Sequence, residues 1–483
     1  MRGVVAAGNP HTAAAAGEIL EAGGNAVDAA VAAALACFSA EPLLTSAGGA
    51  GIMLVRPPGG EPVAVDFFSA FPGAGGRPER VDFHGIEIDF GSAKQVFHIG
   101  RGAAAVPLAL DGLATAAARF GSLPLPRLAA PGIALARDGV VLDELTAKTF
   151  RLLWPILRHD PDCWAELAEG LSHAHPPAVG ERVFNRKLAA TLEAFAALGH
   201  MPPAVRDGLL AEFGPARGGL IGPEDLAAAK VVVGAPHRFE LGAWTIASSP
   251  RLGGRLVGMI AEELGAGRRA ASEPEEVVRR ARASLAGHRA RIGLPDLRGS
   301  TTHVSVVDEA GGAASVTLTA GEGCGHVVAG TGVHVNNFLG EEDLNPTGFH
   351  LHRPGDALPT MIAPSLAIHR DGRVIALGSG GANRIRSAVS QVLYGLVGEG
   401  LSIEAAVAAP RVHAEDSGAW VEAGPHAEPN AIVAALADAF PSVHPFPERD
   451  FFFGGVHVAA RASDGALSGV GDARRAGAVV AVG

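Results

Sequence analysis

The sequence predicts a layered α/β sandwich of the α+β kind, with helices enclosing many strands. Three observations carry this: alanine-rich helical segments near the N-terminus, a mostly helical stretch from Pro107 to Leu285, and short alternating strands after Ser300. The 483 residues are 48% hydrophobic and 18% charged, which is a globular composition. That length allows one large domain or about three ordinary ones.

Taken in order, His11 to Leu20 consists mostly of good helix formers and is stopped by Glu21-Ala22-Gly23-Gly24. Asn25 is then an N-cap for a second helix, Ala26 to Phe38, whose alanines suit tight burial. The small-residue loop Thr45 to Gly51 leads into a strand, Ile52 to Val55, and a Pro/Gly turn at Pro57 to Gly60 separates it from Val63 to Phe67. The arginine-rich run from Arg268 to Arg298 has acids interspersed and reads as a solvated helix face and connector. Beyond Ser300 the strand candidates are Thr302–Val307, Ala313–Thr319, Val333–Val335, Leu366–His369 and Val374–Leu377.

A net charge of −11 argues against a nucleic-acid binder, because phosphate contacts need a basic face. The first twenty residues lack a basic segment followed by an unbroken apolar run, and no stretch reads as a membrane span. The expectation is a cytoplasmic protein with neither nucleic-acid nor membrane partner. Cys37, Cys163 and Cys324 are too few and too scattered for a disulfide framework or a zinc cage. His350 and His352 form an isolated His-x-His with no third ligand at a recognised spacing, so no metal is assigned.

The most informative segment is a hairpin. Thr301 to Asp308 and Ala313 to Thr319 alternate polar and apolar residues around the short loop Glu309-Ala310-Gly311, which suits a type I turn with a left-handed glycine. That loop pairs Asp308 with Gly312 and places Thr301 opposite Thr319. Thr301, His303 and Ser305 then share a face with Thr319, Thr317 and Ser315. Facing threonines often only hydrogen-bond each other. Chemistry adds another role, because an N-terminal threonine carries both a nucleophile and a base. Its α-amine, with a pKa of about 7.7–8.0, can take the hydroxyl proton near neutrality. That role requires cleavage between Ser300 and Thr301.

At these residues the sequence resembles the γ-glutamyltransferase family. Thr301 to Asp308 is similar to the start of that family's small subunit. The likeness continues in Gly23 to Ala30, Glu41-Pro42, Gly48 to Gly51, Ala136 to Gly139, Gly218 to Leu220 with Asp225 to Ala227, Thr331 to Val333 with Asn336-Asn337, Gly378 to Gly381, and Gly471 to Gly477. The resemblance implies a four-layer αββα N-terminal-nucleophile hydrolase sandwich. It also implies a single precursor that splits into segments 1–300 and 301–483, which stay associated as one interwoven unit. Thr301 is then the nucleophile, Thr319 orients its hydroxyl, and backbone N–H groups around Gly380, Gly381 and Ala382 form the oxyanion hole. The implied activity is hydrolysis or transfer of γ-glutamyl or a related acyl group of a small-molecule amide or peptide, with no cofactor. A homo-oligomer is left open.

The implied substrate pocket departs from the family pattern. Phe68 follows Asp66-Phe67 where an arginine grips the substrate α-carboxylate. Thr360-Met361 stands for a serine pair, Gly321 for an asparagine, and Phe338 for a polar residue, with Glu341, Glu342 or Asp343 left to meet an amine. Either another cation, such as Arg101 or Arg384, supplies the charge, or the acyl group is not γ-glutamyl and Phe68 and Phe338 line a more apolar pocket. Phenylalanine cannot replace a bidentate arginine–carboxylate contact, which favours the second reading. The phenylalanines also suit an ordinary core. Two rival classes remain: a non-catalytic relative that serves as a binding or scaffold protein, and a dinucleotide enzyme using the glycine loops. The loops lack both Gly-Lys-Ser/Thr and the Rossmann spacing.

Overall fold

The computed structural model describes residues 2–89, 94–172, 174–266, 270–291, 300–345, 347–424 and 431–483. Two antiparallel sheets form its centre. The first has seven strands: β1 (Gly3–Ala7), β2 (Ala50–Arg56), β3 (Val63–Phe67), β4 (Val232–Gly234), β7 (Thr302–Asp308), β8 (Ala313–Thr319) and β13 (Ala478–Val482). Their order is β13-β1-β7-β8-β2-β3-β4. The second has six: β5 (His237–Leu241), β6 (Trp244–Ser248), β9 (Ser365–His369), β10 (Val374–Gly380), β11 (Gly455–Arg461) and β12 (Leu467–Val470), in the order β12-β11-β10-β9-β6-β5.

The hairpin forms in the anticipated register. Thr302 pairs with Leu318, His303 with Thr317 and Ser305 with Ser315. Asp308 N–H donates to the Gly312 carbonyl, and Gly311 takes the left-handed φ of 81° that lets the turn close. Because side chains alternate, the even-numbered face (Val304, Val306, Val316, Leu318) packs under the N-terminal helices. The odd-numbered face points at the second sheet. Val307 and Ala313 meet Ala247, Leu366, Val374 and Ala376 there, and Ser315 donates to the Leu377 carbonyl.

Helices close both outer faces, completing four αββα layers. α1 (Pro10–Glu21), α2 (Ala26–Ala40), α3 (Ala109–Phe120) and α4 (Leu125–Asp138) build the core over the first sheet. α5 (Leu252–Ala266), α6 (Glu273–Arg289) and α7 (Arg384–Val397) pack on the second. Asn25 caps α2 as anticipated. Its side chain accepts from Val27 and Asp28 N–H, and Asp28 accepts from Asn25 N–H in return. Asp28 is fully buried and also takes the N–H and hydroxyl of Ser122 and the N–H of Leu123, tying α2 to the end of α3.

Three expectations are narrowed by the structure. The stretch from Pro107 to Leu285 contains β4, β5 and β6, because His237–Leu241 and Trp244–Ser248 fold about Gly242 in a positive-φ turn. Val333–Val335 is only a two-residue strand, Val333–His334. In the arginine-rich run, α6 is not a purely solvated face. Arg279 and Arg280 are largely covered and pair with Glu276, and Arg280 reaches Glu399. Residues 267–269 and 292–299 lie outside the described ones.

Asp28→Ala removes one buried acceptor shared by four donors. Equilibrium urea unfolding should show a loss of about 2–4 kcal/mol, with a smaller loss for Asp28→Asn.

Candidate active site

Thr301 sits at the mouth of the inter-sheet space, where β7 begins and β8 and β10 end. With residues 300 and 301 joined, the Thr301 hydroxyl donates to the Ser300 carbonyl at 2.7 Å. The Thr319 hydroxyl donates to the same carbonyl, also at 2.7 Å, and accepts from Gly321 N–H. Thr319 therefore addresses the Ser300–Thr301 bond itself, a contact that the hairpin register could place near Thr301 but not aim.

The glycine run at the end of β10 has a steric cause. A Cβ on Gly378 would lie 2.3 Å from the His303 ring, and one on Gly380 would lie 2.0 Å from the Thr301 carbonyl oxygen. Glycine thus lets β10 approach the start of β7 closely. Gly381 (φ 124°) and Ala382 (φ 47°) then turn the chain into α7, whose first N–H groups lack intrahelical acceptors. Ala382 is among the residues lining the pocket, and Gly380 pairs with Gly455 in the sheet.

One small pocket is lined by Phe68, Ser300, Thr301, Thr319, Phe338, Glu341, Asp343, Thr360, Met361 and Ala382, together with Leu344, Ile362 and Ile385. It unites residues scattered over the chain that were singled out from sequence. Phe68 and Phe338 stack with centroids 5.0 Å apart, and both belong to the core of the second sheet. The core and pocket readings of these two rings therefore hold together. Gly321 does not line the pocket. A Cβ there would meet Asn337 Oδ1 and Glu341 Oε1, each at 2.1 Å, so the missing side chain makes room for the Glu341 carboxyl.

Neither arginine offered as a substitute cation lines the pocket. Arg101 is held by Asp82 and His326, and Arg384 donates to the Phe452 carbonyl while lying over that ring. Arg251 was missed. It binds Asp66 at 2.7 Å and the carbonyls of Leu358 and Phe68, so its charge is used behind Phe68. Arg475 was quoted only as part of a motif. Its Nη1 lies 3.4 Å from the Thr301 carbonyl and its guanidinium stacks on Phe451. Burial, then the charge of Arg384, pushes its pKa down to about 9.

Glu322 was also missed, since nothing local marks it. Its Oε1 accepts from Ser300 N–H at 2.9 Å, and its Oε2 is buried without a hydrogen-bond partner among the described residues. Burial pushes its pKa up to about 8, with Asp343 adding to the rise and the Ser300 N–H and Arg384 opposing it. Glu341 is raised by burial and by the charges of Glu322 and Asp343. His350 and His352 each meet a backbone carbonyl, of Gly102 and Leu344, and pack on Phe83 and Phe71. Among the described residues no group of three or more His, Cys, Asp or Glu is placed to hold a metal ion. No helix among them is long and apolar enough to cross a membrane.

The gamma-glutamyltranspeptidase family model matches residues 12–263 and 260–482. The chain belongs to the gamma-glutamyltranspeptidase family. It is 31% identical to the acylase ACY 1 proenzyme of Pseudomonas sp. (strain SE83), over all of this chain and 94% of that protein. It is 27% identical to the glutathione hydrolase proenzyme of Escherichia coli (strain K12), over 82% and 78% of the two chains. The cephalosporin acylase of Bacillus halodurans superposes with a TM-score of 0.82 at 23% identity, covering 99% of this chain and 95% of that one, which establishes the shared fold. As a gamma-glutamyltranspeptidase family member the protein is an N-terminal-nucleophile hydrolase, an enzyme of acyl transfer or hydrolysis.

The Glu322 carboxyl carries a pH signature. With its folded pKa above the unfolded value of about 4.3, its contribution to stability is fully present below that value and is lost as pH rises through about 8. Glu322→Gln, which has no charge to bury, should therefore raise the thermal midpoint more at pH 9 than at pH 5.

Proposed function

We propose that the protein is a self-cleaving threonine amidohydrolase of the acylase type, with Thr301 as nucleophile. The convergence of the Thr301 and Thr319 hydroxyls on the Ser300 carbonyl carries this reading. In the precursor, Thr301 Oγ1 attacks the Ser300 carbonyl carbon while the Thr319 hydroxyl takes up the charge developing on its oxygen. The Ser300–Thr301 C–N bond breaks, the nitrogen leaves protonated as the Thr301 amine, and the acyl group rests on Oγ1 as an ester. Water cleaves the ester, freeing the Ser300 carboxylate and a Thr301 with an unblocked amine.

In the mature enzyme that amine accepts the hydroxyl proton, Oγ1 attacks the donor amide, and the proton passes to the departing amine. The acyl-enzyme is then resolved by water or by an acceptor amine. Backbone N–H groups at Gly381 and Ala382, where α7 begins, take the oxyanion. The Arg475 guanidinium, within reach of the Thr301 carbonyl, holds the nucleophile at the strand end.

The donor differs from γ-glutamyl. Among the described residues that line the pocket there is no arginine, lysine or histidine to meet its α-carboxylate. Phe68, Phe338, Met361 and Ile362 instead give the acyl chain an apolar wall. The acylase relative, matched over its length, points the same way.

Purified protein should run as two fragments on a denaturing gel, the smaller beginning Thr301-Thr302-His303 by N-terminal sequencing. Thr301→Ala should remain a single chain, and a single chain for the wild type would sink the proposal. Thr319→Val should slow the split by about 10²–10³-fold, the cost typical of one lost oxyanion donor.

A further inference from the structure

Arg251 stands between β6 and α5, directly behind the apolar wall of the pocket, and its side chain is largely covered. Its planar guanidinium makes three directed contacts. Nε donates to Asp66 Oδ2 at 2.7 Å, Nη1 to the Leu358 carbonyl at 2.8 Å and Nη2 to the Phe68 carbonyl at 3.2 Å. The guanidinium also lies 5.6 Å from the centre of the Phe68 ring. Asp66 turns its other oxygen to the Phe68 N–H, so the chain leaving β3 is held at Phe68 through both its N–H and its carbonyl. The Leu358 contact ties a second segment to the same side chain. Leu358 N–H donates to the Ser69 carbonyl, and Thr360, Met361 and Ile362, just beyond it, line the pocket. That segment leans on the start of α5 as well. Gly253 N–H donates to the Thr360 carbonyl, and a Cβ on Gly253 would lie 2.4 Å from the Met361 carbonyl oxygen. One fork therefore joins two stretches of the lining that are some 290 positions apart in the chain. A covered ion pair adds little stability over apolar residues of the same volume. What it supplies is direction, and a lysine ammonium could not span these three acceptors.

We propose that Arg251 is a specificity-determining positioning residue. It fixes the spacing between Phe68 and the Thr360–Ile362 segment, and so sets the size of the apolar acyl chain that the enzyme accepts. Arg251 does not line the pocket and acts only through these two walls. This inference rests on the reading that the pocket beside Thr301 receives the acyl group of the donor. Without the fork Phe68 loses the hold on its carbonyl, the two walls move independently, and acyl chains of different length fit almost equally well.

Butyryl, hexanoyl and octanoyl p-nitroanilides test it, with rates referred to the amount of chain split at Thr301. In the wild type one length should exceed the others in kcat/KM by about tenfold or more, the discrimination that a fitted apolar pocket gives for one or two methylenes. In the double variant Asp66→Asn/Arg251→Met, which buries no orphan charge, that preference should fall to about twofold, chiefly through a higher KM for the preferred donor. Arg251→Lys should fall between, and it decides by the same ratio if the double variant fails to split. A wild type without a length preference overturns the proposal. So does a preference that survives in the double variant, a full preference in Arg251→Lys, or a loss that strikes all three donors equally, which would make the pair a structural one. If the wild type splits but turns over none of the three, the acyl reading of the pocket fails, and if it never splits, the self-cleaving reading fails. In either case calorimetry with butyramide, hexanamide and octanamide still decides Arg251. Length-graded binding that flattens in Arg251→Lys and the double variant keeps the positioning role, and equal or absent binding removes it.

Discussion

The site depends on the parity of one hairpin. Side chains on a strand alternate with a period of two, so the β7–β8 register decides whether Thr301 and Thr319 face the second sheet or the N-terminal helices. With Thr302 against Leu318, both hydroxyls enter the inter-sheet space and meet at the Ser300 carbonyl. A slip of one residue would bury Thr302, His303 or Ser305 in the wrong layer and turn Val304 and Val316 toward the other sheet. The register is held from both ends. At the turn, Asp308 accepts the N–H groups of Gly312 and Ala26, fastening the hairpin to the start of α2. At the open end, Thr302 donates to the buried Glu41, whose carboxyl also takes the Thr12 hydroxyl.

The polar face of the hairpin is unusual for an inter-sheet layer, and its chemistry explains how it is tolerated. His303 places one ring nitrogen 2.8 Å from the Thr317 hydroxyl and the other 2.8 Å from Ser305, which donates onward to the His457 carbonyl. Burial, and then the neighbouring His457, hold its pKa well below the usual range, so the ring is neutral at ordinary pH. A neutral imidazole with both nitrogens engaged costs little, and it needs the space above Gly378. Gly378 is therefore part of the same design as His303, two residues after Thr301.

The local parts of this arrangement were legible in the sequence. Alternation fixed the hairpin and its register, and Asn25 announced the start of α2. The glycine run was visible, but its cause was not, because His303 and the Thr301 carbonyl lie on another sheet. β5 and β6 were hidden inside a helical stretch because each is five residues long and β5 alternates basic and acidic residues with its apolar ones. Glu322, Arg251 and Arg475 act through partners distant in sequence, and no periodicity links Arg251 to Asp66. The departures at Phe68, Gly321 and Phe338 were readable one by one. Their common effect was not, since only the folded chain puts the rings on one wall and the Glu341 carboxyl into the room left at Gly321.

The charges around Thr301 bear on the proton of an amine formed there. On its carbonyl side lies Arg475, an incompletely neutralised cation, and on the Ser300 side lie Glu322, Glu341 and Asp343. A cation near an amine makes it release its proton more easily, and nearby carboxylates make it hold the proton. In the enzyme cleaved as proposed, burial that raises the Glu322 pKa to about 8 leaves that carboxyl mostly protonated near neutrality. It therefore opposes deprotonation of the Thr301 amine little, while Arg475 favours it.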